Sequence, residues 1–173
     1  TGETRSGMGS GGMAAKLQPH VLQFVGADLL ITGNLPQGAG LSSSASLCIA
    51  IGRALLAAAG QSASPVVLAR AAQAAEHDFA GVACGIMDQM AVAAGQPGHA
   101  MLLDCRTLDY SQHAIPPGWR VALIDSGIRR GLVDGEYNLR RAQCDAAARA
   151  IGVPSLREAT AAQVAQLPSG SAE

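Results

Sequence analysis

The chain has 173 residues, 49% hydrophobic and 14% charged, and its 12 basic residues are balanced by 13 acidic ones. With one Trp, two Tyr and two Phe, a core must be built from Ala, Val, Leu and Ile, and without a basic stripe nucleic acid is excluded as the expected partner. The longest apolar stretch, 47–60, is interrupted by Arg53 and falls short of the roughly 18 to 20 residues that cross a bilayer, so no membrane association is expected.

The length fits one domain, or one and part of a second. Residues 1–16 are rich in Gly, Ser and Met without periodicity, hold no apolar run of a secretory signal, and read as a flexible lead-in. A strand is expected within 21–32, then a glycine-serine loop, then a helix over 43–59. Ser64 followed by Pro65 has the form of an N-cap and first helical residue, opening a second helix that runs to about Phe79. A loop over 81–85 leads into a short helix over 86–94 that Gly95 ends. Two strands are expected at 100–104 and 121–125, joined through the turn Pro116-Pro117-Gly118. Helix returns over 135–151, and a last short helix begins near Ser155. Strands and helices mixed without strict alternation argue for an α+β class.

Cys48, Cys84, Cys105 and Cys144 are too far apart for a metal knuckle or a disulfide scaffold and read as reduced thiols of a cytoplasmic protein. His20, His77, His99 and His113 are equally scattered, with no pair at helical spacing to bind zinc.

The loop carries the first chemical signal. In Gly33-Asn34-Leu35-Pro36-Gln37-Gly38-Ala39-Gly40-Leu41-Ser42-Ser43-Ser44-Ala45-Ser46, glycines that can take angles closed to other residues are followed by three hydroxyls at a helix start. The first N–H groups of a helix lack internal partners and lie at the positive end of its dipole, so the pattern fits a phosphate cradle. It is neither the common P-loop nor the dinucleotide fingerprint, and Gly and Ser also serve ordinary loops and N-caps. Capping uses one hydroxyl, which leaves two for a ligand or a metal.

Glu76 near the end of one helix and Asp88 at the head of the next form the second signal. Magnesium-dependent phosphoryl transfer uses two separated carboxylates: one can ligate the cation beside a hydroxyl, and the other can orient or deprotonate the attacking group. The plainer alternative puts Glu76 in solvent and makes Asp88 a helix cap.

Three segments in this order resemble the galactokinases of the GHMP family of small-molecule kinases. Pro36-Gln37-Gly38-Ala39-Gly40-Leu41-Ser42-Ser43-Ser44-Ala45-Ser46 is similar to the family's nucleotide-phosphate loop. Ala75-Glu76-His77 with Cys84-Gly85-Ile86-Met87-Asp88-Gln89 is similar to its catalytic region, and the run from Gly135-Glu136-Tyr137 to Gln143-Cys144 to its sugar-site helix. The resemblance implies an α+β GHMP kinase fold, incomplete here. A partial ribosomal-protein-like N-terminal domain would occupy 17–118 and the beginning of a C-terminal domain 119–173.

It further implies that Gly38, Ala39, Gly40, Leu41, Ser42, Ser43 and Ser44 wrap the phosphates of ATP, that Ser44 and Glu76 ligate Mg²⁺, and that Asp88 is the catalytic base or positions the anomeric hydroxyl. Gly85, Asp88 and Tyr137 would bind the sugar. The implied reaction converts ATP and α-D-galactose to ADP and galactose 1-phosphate, the entry to galactose metabolism. Galactokinases also carry an early Arg/Asn/Gly-Glu-His/Asp motif and a late glycine-rich loop. Neither occurs here, so the chain is expected to be the middle of a longer enzyme, needing its other segments to complete the fold and inactive by itself. Other readings of the resemblance are a GHMP kinase for N-acetylgalactosamine, arabinose or a uronic acid, and a non-catalytic sensor of sugar and ATP.

Overall fold

The computed structural model describes residues 11–20, 27–125, 127 and 135–166. Its first part is built from helices whose small apolar residues recur at helical spacing. Helix α1 spans Gly12–Leu17 and runs into a 3-10 turn at Gln18–His20; α2 spans Ser43–Ala58, α3 Pro65–Ala80 and α4 Met87–Ala94. On α2 the buried face holds Ala45, Cys48, Ile49, Gly52, Leu55 and Leu56, and on α3 it holds Leu68, Ala69, Ala71, Ala72 and Ala75. Alanine on α3 lets neighbouring helices approach closely, and the large side chains that fill the gaps come from α1, α2 and α4: Met13, Leu17, Ile49 and Met90. Gly52 leaves room where α1 meets α2, since a Cβ there would lie 2.7 Å from Met13 Cε and 3.1 Å from Leu68 Cδ2, and these side-chain ends would have to shift to receive it.

The helix ends follow the expected chemistry. Ser64 Oγ accepts from Val67 N at 3.3 Å with Pro65 behind it, and α3 closes at left-handed Gly81, whose N–H bonds back to Glu76 O. Residues 12–16, expected within a flexible lead-in, instead form most of α1 and attach it to the core: Met13 is fully buried, as is Leu17 four residues on, and Lys16 pairs with Asp78 of α3. Two apolar positions amid glycine and alanine gave too weak a period to be read in advance. Residues 1–10 lie outside the described residues, as do 21–26 of the first expected strand; 27–32 form no strand.

Strand β1, His99–Leu103, pairs antiparallel with β2, Tyr110–Ala114, in a register that sets Met101 opposite Gln112. Met101 and Leu103 face the helices, and Gln112 Nε2 donates to Ala94 O at 2.8 Å, tying the hairpin to the end of α4. The second strand was expected at 121–125. Those residues are not in a strand, and the Pro116-Pro117-Gly118 turn follows the hairpin rather than joining its strands. The connection is made by Asp104, whose Oδ1 accepts from Arg106 N and Thr107 N at 2.8 and 3.4 Å, and by left-handed Leu108, which is buried.

The chain separates into two units, Thr1–Val133 and Asp134–Glu173, where the sequence suggested a division near 118. The second unit holds α5, Glu136–Ile151, closed by left-handed Gly152; a 3-10 turn at Leu156–Glu158; and α6, Ala161–Val164, opened by a capping box between Thr160 and Gln163. Among the described residues no helix is long and apolar enough to cross a membrane.

Candidate active site

The loop ahead of α2 places every second residue in the left-handed region: Gly38 at φ 68°, Gly40 at φ 72° and Ser42 at φ 54°. Left-handed residues in such a loop are a backbone pattern that can gather successive N–H groups around an anion, and here they stand directly before the positive end of a sixteen-residue helix. For Ser42 the conformation carries a strain of about 1–2 kcal/mol that a glycine would not have. As N-cap of α2, Ser42 makes no side-chain capping bond, so the expectation that one hydroxyl of the triplet caps the helix fails. An N-cap serine caps from the β region, and the left-handed backbone takes Oγ off that line.

Ser44, the second residue of α2, donates Oγ–H to Glu76 Oε2 at 2.9 Å across 32 residues of sequence. Glu76 is only 6% exposed, which removes the solvent-facing alternative. Its other oxygen, Oε1, accepts from Gln89 Nε2 at 2.8 Å. A buried carboxylate needs hydrogen bonds or an opposite charge, and Glu76 has two neutral donors; no ion pair among the described residues includes it.

Asp88 sits in the first turn of α4, where the dipole favours a negative charge. The N-cap of α4 is Ile86, so Asp88 is not the cap that the plainer alternative required. It is partly exposed and precedes Gln89, which reaches Glu76.

The loop between α3 and α4 is held from one face of α3. Gln73 Nε2 donates to Cys84 O at 3.1 Å and His77 Nε2 bonds the same carbonyl at 2.8 Å, which fixes the chain next to exposed Gly85. Arg53 of α2 donates to Ala93 O at 2.8 Å and satisfies the last turn of α4. None of these positioning contacts was assigned from sequence, although His77 and Gln89 stand inside the segments that drew attention to the region. A glutamine flanked by Ile86, Met90 and Ala93 on a buried face was the available signal.

Two thiols border the carboxylate. Burial, with the charge of Glu76 adding to it, pushes Cys48 up to about 11, and the same causes in the same order raise Cys84. Both remain thiols at neutral pH and are poor nucleophiles. Tyr137, the remaining sequence-predicted site residue, lies in the first turn of α5 in the second unit and is 56% exposed.

The site thus joins an anion-receptive loop, a buried carboxylate bonded to a serine of the following helix, and a second carboxylate at a helix head. The GHMP kinases N terminal domain matches residues 10–96, half of the chain. The structure is similar to the crystal structure of Lactococcus lactis galactokinase complexed with galactose, with a TM-score of 0.74 and 30% sequence identity over 92% of this chain and 42% of that one. This chain therefore spans less than half the length of that relative. The family match takes in the loop, Glu76 and Asp88 together, and the chain belongs to the GHMP kinases.

Proposed function

We propose that the chain is part of a galactokinase, transferring the γ-phosphate of ATP to the anomeric hydroxyl of α-D-galactose with Mg²⁺. The observation that carries the reading is the Ser44–Glu76 contact at the head of α2, immediately behind a loop with three left-handed residues. The likeness to a galactokinase, and the Cys84-Gly85-Ile86-Met87-Asp88-Gln89 segment, favour galactose over other sugars.

The residues present fit a magnesium ion. Glu76 is a buried carboxylate with only neutral donors, and hard oxygen ligands are what Mg²⁺ takes. At metal–oxygen distances of about 2.1 Å, neighbouring ligands of an octahedron stand about 3 Å apart. The 2.9 Å between Ser44 Oγ and Glu76 Oε2 matches that edge, so these two residues would hold the ion. When bound, it supplies neutralising charge to the transferring phosphoryl group.

The chain's own residues would do the rest. Backbone N–H groups from Gly38 to Ser44, with Ala39, Gly40, Leu41, Ser42 and Ser43 between them, cradle the phosphates. Asp88 accepts a hydrogen bond from the anomeric hydroxyl, aligns its oxygen for in-line attack and takes its proton. Gly85, through its backbone, would contribute to the sugar pocket.

The test uses the complete gene product that carries these residues, offered galactose, N-acetylgalactosamine, arabinose and a uronic acid with ATP and Mg²⁺ in a coupled assay. Galactose is the expected substrate; preference for another sugar overturns the specificity, and no turnover with any overturns the kinase reading. Asp88→Asn is expected to lower turnover by about 10²- to 10⁴-fold while leaving ATP binding intact. Unchanged turnover removes Asp88 from the mechanism. The 173 residues alone, spanning 42% of the galactokinase they match, are expected to show little or no turnover; ordinary kinase rates from them refute that.

A further inference from the structure

Gln89 follows Asp88 and is 1% exposed, yet its amide is only half satisfied. Nε2 donates to Glu76 Oε1 at 2.8 Å and reaches Cys84 Sγ at 3.4 Å, while buried Oε1 of Gln89 has no donor among the described residues. Exchanging the amide's oxygen and nitrogen would not repair this. An ionised carboxylate only accepts, so a flipped amide would set two oxygens against each other and strand the NH₂ group instead. The charge on Glu76 therefore dictates the amide's orientation, and the fold leaves one buried acceptor unpaired where an apolar side chain of equal length would leave none.

What the donated hydrogen does follows from the torsional freedom of a carboxylate. The terminal torsion of a glutamate is broad, so a carboxylate held at one oxygen can turn about its last bond. Glu76 is held at both: Gln89 takes Oε1, and Oε2 is left facing Ser44 Oγ. We propose that Gln89 is a positioning residue for the cation site, pinning Oε1 of Glu76 so that Oε2 and Ser44 Oγ are presented together at the separation of two neighbouring ligands. This rests on the reading of Ser44 and Glu76 as Mg²⁺ ligands given above. Such outer partners typically change metal affinity by about 10- to 100-fold when removed.

The experiment measures Mn²⁺ binding by electron paramagnetic resonance in the presence of ADP, on the complete gene product, for wild type, Gln89→Met and Glu76→Gln, and thermal melting of each without metal. Gln89→Met keeps the length of the side chain, removes the donor and also removes the orphaned acceptor. It is expected to weaken Mn²⁺ binding about tenfold with little change in the metal-free melting temperature, and Glu76→Gln is expected to weaken binding further. Should Gln89→Met fail to fold, Gln89→Leu also removes both the donor and the orphaned acceptor without adding a charge, and is expected to weaken Mn²⁺ binding in the same way. A lowered melting temperature with unaltered Mn²⁺ affinity would mean that Gln89 only supports the fold, and overturns the proposal while the cation reading stands. If Glu76→Gln itself binds Mn²⁺ as wild type does, the cation reading fails and the role of Gln89 fails with it.

Discussion

Helices α2 and α5 are each sixteen residues long and each begins after a left-handed residue with no side-chain cap, Ser42 for one and Gly135 for the other. They are otherwise opposites. Seven residues of α2 are buried, whereas on α5 Ala148 is the buried hydrophobic among the described residues, and Tyr137 and Leu139 are 56% and 59% exposed. The difference shows how differently two predicted site residues are held. Ser44 is fixed because the helix that carries it is packed on α1, α3 and α4, so its 2.9 Å approach to Glu76 follows from core packing. Tyr137 instead stands on a helix whose described side chains are mostly exposed, and is itself 56% exposed.

Truncation on the two helices is the strongest way to break the comparison. Ile49→Ala on α2 removes a side chain that is 2% exposed and is expected to cost about 2–5 kcal/mol in a urea melt. Leu139→Ala on α5 is expected to change stability by no more than about 0.5 kcal/mol. Equal losses would show that α5 is anchored by contacts outside the described residues. Gly52→Ala is the next largest effect. Its methyl group would meet Met13 Cε at 2.7 Å, and repacking that buried but flexible side chain is expected to cost about 1 kcal/mol.

Cysteines sharpen the contrast, since Cys48 of α2 is buried and Cys144 of α5 is partly exposed. Iodoacetamide near neutral pH is expected to label Cys144 and exposed Cys105 and to leave Cys48 untouched until the protein unfolds. Burial in the folded state also holds Cys48 up to about 11, against an ordinary value of 9.0. Below 9 both states carry the proton and the thiol's contribution is whole. Between 9 and 11 the unfolded chain gives up its proton first, so stability falls as pH rises through that window. Cys48→Ala is expected to flatten this alkaline limb, and an unchanged limb assigns the loss to other groups.

Much of the α2 to α5 framework was legible because local chemistry and global packing agree there. Ser64 and Pro65 open α3, Gly81, Gly95 and Gly152 stand just past helix ends, and apolar positions recur at three and four. Strand β2 was not legible: Tyr110-Ser111-Gln112-His113-Ala114 alternates no apolar face, and its pairing depends on the Asp104 turn and on Gln112 reaching α4. Trp119, Val121, Leu123 and Ile124 show the converse, a strand-like sequence that is 70–92% exposed and unpaired among the described residues. In the candidate site, the loop glycines, the serine triplet, Glu76 and Asp88 could be named from residue type and order, and Ser44 within the triplet from the resemblance to galactokinases. The bond between Ser44 and Glu76 joins residues 32 apart, and the half-satisfied amide of Gln89 is visible only once the helices are packed.

Ion pairs give the smallest effect and the last contrast between the regions. Arg141 and Asp145 on α5 lie 3.4 Å apart, four residues apart on an exposed face, and Arg141→Ala is expected to cost at most about 0.5 kcal/mol. Lys16 and Asp78 instead connect α1 to α3. The hydrogen bond from Lys16 first, and its charge second, hold the Asp78 carboxyl below its usual value of 3.8. Above 3.8 the carboxylate is ionised in both states and the pair contributes in full. As pH falls below that value the unfolded chain takes up its proton first, and the contribution disappears by the folded-state pKa. Urea midpoints of wild type and Lys16→Ala should therefore differ slightly at neutral pH and converge as the pH is lowered through this acid window. A difference that persists undiminished in acid means that Lys16 holds α1 through the packing of its methylene stem, and that its charge is incidental.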